Sequence, residues 1–174
     1  KTNGLIDEAV YSLYADYQSN LWCATSNGVA KIDLNSPLSQ FNESQGLKGS
    51  VITMTRSNNA YYVGTFMGLY QMGKDGFFPV EGISEQTWCL SNFYENYPDK
   101  SKQILLCGCN TGIYQIKDQH IQMIKEMPIV FEILQSEKRP QLIFVGHQYG
   151  FDVFSYENKK WTPIPLIDKL NFAI

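Results

Sequence analysis

Apolar and polar positions along the chain follow a short figure that recurs four times. Two or three apolar residues lead into a small residue, a variable stretch, a glycine and another apolar residue. The copies occupy residues 21–29, 61–69, 105–113 and 143–151, and their closing glycines stand at 28, 68, 112 and 150, in steps of 40, 44 and 38 residues. A period of that size marks a repeat architecture. Each copy predicts a strand and a tight turn, because the glycine can take the positive φ that a hairpin turn requires. An apolar segment precedes each copy, at 10–14, 51–54, 87–90 and 129–134, and predicts another strand. A third strand is expected at 29–33, 69–72, 113–116 and 151–154. A weaker fourth follows around Phe41, at 77–78, 121–124 and 161–164. No stretch of ten residues carries a helical period. Four short strands per repeat, apolar on both faces, predict an all-β chain of four four-stranded antiparallel β-propeller blades.

The repeats divide the chain at approximately 4–45, 46–81, 82–126 and 127–165. Residues 166–174 open a fifth copy, since Leu166-Ile167-Asp168 echoes Leu5-Ile6-Asp7. The expected molecule is thus a partial β-propeller over 1–174, cut from a larger ring. An open arc leaves apolar flanks on its first and fourth blades, larger than a monomer ordinarily tolerates, so self-association through them is expected. The third copy carries an insertion, 92–102, read as an enlarged turn between its first two strands. There Phe93, Tyr94 and Tyr97 offer either a partner surface or local packing.

Composition narrows the function classes. With 44% hydrophobic and 14% aromatic residues the 174-residue chain holds too much apolar surface to stay disordered. A formal charge of −3 and a pI near 5.4 argue against nucleic acid as a partner. No run approaches 18 apolar residues, so no membrane contact is expected of this segment, and the first residues do not read as a signal peptide. Cys107 and Cys109 flank Gly108 and point to one face of a strand, poorly placed to bond each other. With Cys23 and Cys89 they are read as buried free thiols in preference to a disulfide or a zinc site. The cysteines do not reveal a redox compartment, and neither metal nor cofactor is expected.

Comparing copies separates scaffold from exception. The turn pairs are Ser26-Asn27, Phe66-Met67, Asn110-Thr111 and Gln148-Tyr149. Turns favour Asn, Ser and Thr for their local hydrogen bonds. Phe66, Met67 and Tyr149 therefore stand out as candidate ligand contacts, against the alternative that they pack on a neighbouring blade. His147 takes the place of Thr25, Thr65 and Cys109, either as a donor to a ligand or as a hydrogen-bonded structural residue. Trp22 and Trp88 fall on apolar strand positions and read as core. None of the four turns carries an acid, and Glu43, Glu81, Glu85 and Glu126 are scattered through the loops, so a paired-carboxylate enzyme is not expected.

The first copy also resembles a known family. Gly4-Leu5-Ile6, Val10, Leu13, Asp16, Leu21-Trp22-Cys23-Ala24-Thr25, Gly28-Val29 and Asp33 are similar to the two-component regulator propeller repeat. Its wording is Gly-Leu, an apolar pair, Asp, then Leu-Trp-Ile-Gly-Thr, two variable residues and Gly-Leu. The copy departs from it at Cys23, at Ala24, and at Ser19 where a turn glycine is usual. Later copies keep Gly-Thr or its equivalent and lose the Leu-Trp start and the Asp. The resemblance covers essentially the whole chain. It implies blades of a seven-bladed propeller in the periplasmic sensor half of a hybrid two-component histidine kinase of Bacteroides type, anchored in the inner membrane. The implied ligand is an oligosaccharide, and the implied partners are the remaining blades and domains of the parent sensor. The competing classes are a carbohydrate-active lyase or glycosidase and a protein-interaction scaffold, since propellers host all three.

Overall fold

A computed structural model describes residues 9–34, 41–117 and 120–165. Their regular structure is strand throughout, apart from one 3-10 turn at Glu43–Gln45, and no helix among them is long and apolar enough to cross a membrane. The chain forms two compact units, Lys1–Ser44 and Gln45–Ile174.

The first unit holds an antiparallel sheet of β1 (Val10–Ala15), β2 (Asn20–Thr25) and β3 (Gly28–Asp33). Asp16 organises the β1–β2 turn. Its Oδ2 accepts Trp22 Nε1 at 2.8 Å, and its Oδ1 accepts the Gln18 and Asn20 amides at 2.9 Å. The Trp22 bond, with those from the Asn20 and Gln18 amides and the Asn20 side chain, holds this carboxyl well below the usual range. Ser19, standing where the repeat usually has glycine, sits at φ 63. Trp22 is not core as expected: it is half-exposed, anchored by Asp16 at its edge, with Lys31 Nζ 5.4 Å from the centre of its ring. The fourth strand expected around Phe41 falls partly on residues outside those described, and Phe41 itself carries no strand.

The second unit contains three four-stranded antiparallel sheets, each a meander in sequence order. They are β4 (Val51–Ser57), β5 (Ala60–Thr65), β6 (Gly68–Met72) and β7 (Phe77–Pro79); β8 (Thr87–Asn96), β9 (Asp99–Cys109), β10 (Gly112–Lys117) and β11 (His120–Glu126); and β12 (Val130–Gln135), β13 (Leu142–His147), β14 (Gly150–Glu157) and β15 (Lys160–Ile164). Strand β8 lies against β4 on one side and β12 on the other, so the leading strands of successive sheets line up. This is the blade stacking of a β-propeller.

Side chains alternate across a strand, and β9 uses both directions to build two cores. Leu105, Cys107 and Cys109 pack with Tyr62 and Leu69 of the preceding blade and with Ile83 in the loop between the two. Ile104 and Leu106 pack the other way, with Ile133, Ile143, Val145 and Phe154 of the following one. Blade spacing explains Gly108: a Cβ there would lie 2.5 Å from Cys89 Sγ and 2.6 Å from Val130 Cγ1. At the matching Gly146 the nearest atom would be 3.8 Å away. All four cysteines are free and buried, and Cys107 Sγ lies 3.4 Å from Cys109 Sγ, the shared face their spacing requires. Burial pushes the Cys89 thiol up to about 12, helped by the charge of Glu132, and it lifts Cys107 well above the ordinary thiol range.

The insertion is not an enlarged turn. Strands β8 and β9 continue through it, with a register shift between Tyr94 and Asn96, to a tight turn at Tyr97-Pro98, making a hairpin much longer than that of either neighbour. Phe93 becomes its anchor, 1% exposed, with ring centres 5.0 Å from Tyr156 and 4.8 Å from Trp161 of the next blade.

Candidate functional site

In the second unit the β5–β6, β9–β10 and β13–β14 turns share one end with the loops between blades. The β4–β5, β8–β9 and β12–β13 hairpins lie at the other, because adjacent strands alternate direction. At the turn end, the closing glycines Gly68, Gly112 and Gly150 take φ of 127, 159 and 137, and Gly28 in the first unit takes 135. Thr65 Oγ1 closes its turn by donating to the Gly68 carbonyl at 3.1 Å while accepting the Met67 amide at 3.0 Å. The turn residues Phe66 and Gln148 are tied through their amides to Ser50 and Ile129, where the chain enters the same blade.

Each leading strand carries a register shift one residue after its start: between Val51 and Thr53, Thr87 and Cys89, and Val130 and Glu132, as also between Val10 and Ser12. The extra residues are Tyr11, Ile52, Trp88 and Phe131. A bulge takes its residue out of the pleat and re-aims its side chain. In the second unit this produces an aromatic row. Phe66 meets Trp88 edge-on with ring centres 6.3 Å apart, and Trp88 meets Phe131 edge-on at 5.4 Å. Phe66 and Phe131 are 53% and 47% exposed, so the row borders solvent across three blades.

Polar groups hold the row in place. Trp88 Nε1 donates to Asn110 Oδ1 at 2.7 Å. Glu85 accepts the Thr111 amide at 3.0 Å, the Thr111 hydroxyl, and the Tyr114 hydroxyl at 3.0 Å. With its oxygens engaged, Glu85 acts as a brace for the β9–β10 turn. Gln86, two residues before Trp88, has a buried side-chain Nε2 with no acceptor.

Of the predicted site residues, Phe66 joins this row. Met67 is exposed and leans over the backbone of Gly49, where a Cβ would meet its side chain at 2.6 Å. Tyr149 stands 79% exposed on its turn. His147 takes over one of the two tasks of the threonine it replaces: its Nδ1 accepts the Tyr149 amide at 3.3 Å, and its Nε2 lies 3.8 Å from Asp152 Oδ2. Trp88, expected in the core, is half-buried in the row instead, and Phe131 was not singled out at all. The available signal was the large residue immediately after the first residue of every leading strand; its meaning depends on the bulge. Among the described residues no three His, Cys, Asp or Glu side chains gather as metal ligands would.

At the hairpin end the long β8–β9 hairpin borders a cleft of about 330 Å³. Lys117 Nζ lies 2.6 Å from Glu95 Oε1, which also accepts Tyr156 Oη at 2.8 Å. Burial pulls the Glu95 carboxyl upward, but the bonds from Lys117 and Tyr156 and the charges of Lys117 and Lys102 outweigh it and hold it low. Lys102 and Lys159 line the same cleft.

No protein-family model and no curated protein matches the chain. Two solved structures are similar to it. One is the extracellular domain of a protein described as a one-component system of B. thetaiotaomicron, at a TM-score of 0.56 and 16% identity, over 94% of this chain and 22% of that one. The other is the extracellular domain of a protein described as a hybrid two-component system of the same organism, at 0.51 and 19%, over 91% of this chain and 25% of that one. The chain thus has the propeller-blade fold found in these domains and spans about a quarter of their length. The second description names the class of system whose propeller repeat the first copy resembles.

Proposed function

We propose that this chain is a segment of a periplasmic sensor propeller that responds to an oligosaccharide and signals, through its parent, to a histidine kinase. One observation carries the reading: three aromatic rings from three blades, two of them aimed by bulges, form a row beside solvent at the turn end. Such rings offer flat apolar faces to the C–H faces of pyranose rings, and amide side chains such as Asn110 can orient the hydroxyls. The row displaces the original candidates only in part. Phe66 remains a contact, Met67 follows it in the same turn, and His147 shapes the turn that presents Tyr149. Ligand binding biases the packing of neighbouring domains and so the kinase. The remaining blades of the parent complete the ring, and the similarity to extracellular sensor domains supports this assignment. Where those blades are missing, the outer face of the fourth sheet, with Leu134 and Phe151 exposed and Phe144 beside them, favours self-association.

Calorimetric titration with a panel of neutral oligosaccharides tests the proposal. At least one should bind, and Trp88→Ala should weaken it about tenfold, or about 1.4 kcal/mol, with the far-UV spectrum unchanged. Equal affinity for the variant removes the row from the ligand site. Saccharide turnover that disappears on replacing Glu81 or Glu126 would instead make the chain part of an enzyme.

A further inference from the structure

The hairpin end has a chemistry of its own. Its cleft, about 330 Å³ in volume, brings together Lys117 from β10, Lys102 from β9 and Lys159 from the β14–β15 turn, with the carboxylate of Glu95 in its lining. Three ammonium groups against Glu95 and the Asp99 carboxylate near Lys102 leave a local excess of one positive charge in a chain whose net charge is −3. Glu95 is already engaged, by Lys117 Nζ at 2.6 Å and Tyr156 Oη at 2.8 Å. Among the described residues Lys102 and Lys159 form no ion pair within 4 Å. The polar side chains in the rest of the lining bond mainly to neighbouring protein groups. Ser101 Oγ donates to Asp99 Oδ2 at 2.7 Å, Gln103 Nε2 donates to the Lys100 carbonyl at 3.2 Å, and Asn58 Nδ2 donates to the Gln103 carbonyl at 3.4 Å. The charged donors left facing the cleft are the ammoniums of Lys102 and Lys159.

Two features fix where those lysines stand. The β8–β9 hairpin, pinned by Phe93 against Tyr156 and Trp161, carries Lys102. Lys159 sits at φ 62 beside Asn158 at φ 51, in a two-residue turn where both positions are left-handed and where Gly or Asn is the ordinary choice. A β-carbon in that conformation is unfavourable, and a lysine held there places a charge at the cleft rim.

We propose that this cleft binds a tetrahedral oxyanion, sulfate or phosphate, which reaches it either free or as an ester on a sugar. The excess charge supplies attraction, the free ammoniums supply donors, and the volume exceeds that of the anion enough to admit an attached ring. The site is separate from the aromatic row and stands or falls independently of it.

The test titrates this chain by calorimetry with sodium sulfate and sodium phosphate at fixed ionic strength, and with a dextran sulfate oligosaccharide beside unsulfated dextran of the same length. Sulfated but not unsulfated dextran, or the free anions, should bind. The double variant Lys102→Gln/Lys159→Gln should lose at least tenfold in affinity, whereas Lys48→Gln/Lys74→Gln, two exposed lysines elsewhere, should lose none. A sulfated sugar that binds more tightly than inorganic sulfate identifies an ester as the source. Equal binding identifies the free anion. Loss of the same size in both double variants, or no anion binding at all, overturns the proposal. Trp88→Ala should leave anion affinity intact, which separates failure of this site from failure of the aromatic row.

Discussion

The two ends of the second unit are built by opposite strategies. The turn end is repetition: the same closing glycine and the same leading-strand bulge recur in every blade, and only the side chain placed there changes, from Ile52 to Trp88 to Phe131. The hairpin end is exception: one blade lengthens its first hairpin, and a polar cleft forms beside it. Repetition aligns like groups along a row, which suits a ligand that is itself a chain of similar units. An exception gathers unlike groups around a point, which suits a single charged group. The ends should therefore respond separately to mutation.

The largest effect should come from Phe93→Ala. This ring is fully buried and bridges the long hairpin to the next blade, so its loss should cost about 3–5 kcal/mol in denaturant unfolding. Below the unfolding transition it should loosen the lysine cleft while leaving any saccharide affinity of the aromatic row within twofold. If both affinities fall together, the ends are coupled. Next is Trp88→Ala, which removes a half-buried ring and its bond to Asn110. We expect a stability loss of about 2 kcal/mol, less than for a fully buried aromatic, read as a lower melting temperature. Glu95→Gln should have a smaller effect, about 1 kcal/mol at neutral pH, since Lys117 is partly exposed and screened. Its sign with pH is set by the lowered carboxyl. Glu95 stabilises the fold above the unfolded carboxylate pKa of about 4.3, and that contribution is lost as pH falls through the lower folded value. The variant should thus lose less stability than the parent between neutral and acid pH, and identical acid limbs would refute the assignment. The smallest effect belongs to Tyr114→Phe, which removes one hydroxyl from the Glu85 brace and should cost about 0.5 kcal/mol, the low end for a single hydrogen bond, because the site borders solvent. It should leave anion binding at the far end untouched.

Much of the fold was legible because a repeat states its rules several times. The glycines at 28, 68, 112 and 150 announced left-handed turns, and each takes that conformation. The runs that lacked clean alternation, such as Ile104 to Cys109, lacked it because both faces of the strand meet a core. The site was less legible. Trp88 looked like core because an apolar residue in a strand normally is, and a bulge is invisible until pairing partners are known. His147 looked like a possible ligand donor; only the position of the Tyr149 amide shows the imidazole standing in for a threonine hydroxyl. Residues 92–102 looked like a loop, since their strand character depends on pairing with each other and on Phe93 finding Tyr156 and Trp161.

By itself, then, the sequence determined the repeat, most of the strands within it, the turns that close them and the blade architecture, because these depend on local backbone preference and on burial that recurs every forty or so residues. Tertiary structure alone decided which side chains leave the pleat, which rings from different blades form one row, and which lysines share one cleft. Those facts depend on distances between residues as far apart in the chain as Lys102 and Lys159, and no local pattern encodes such a distance.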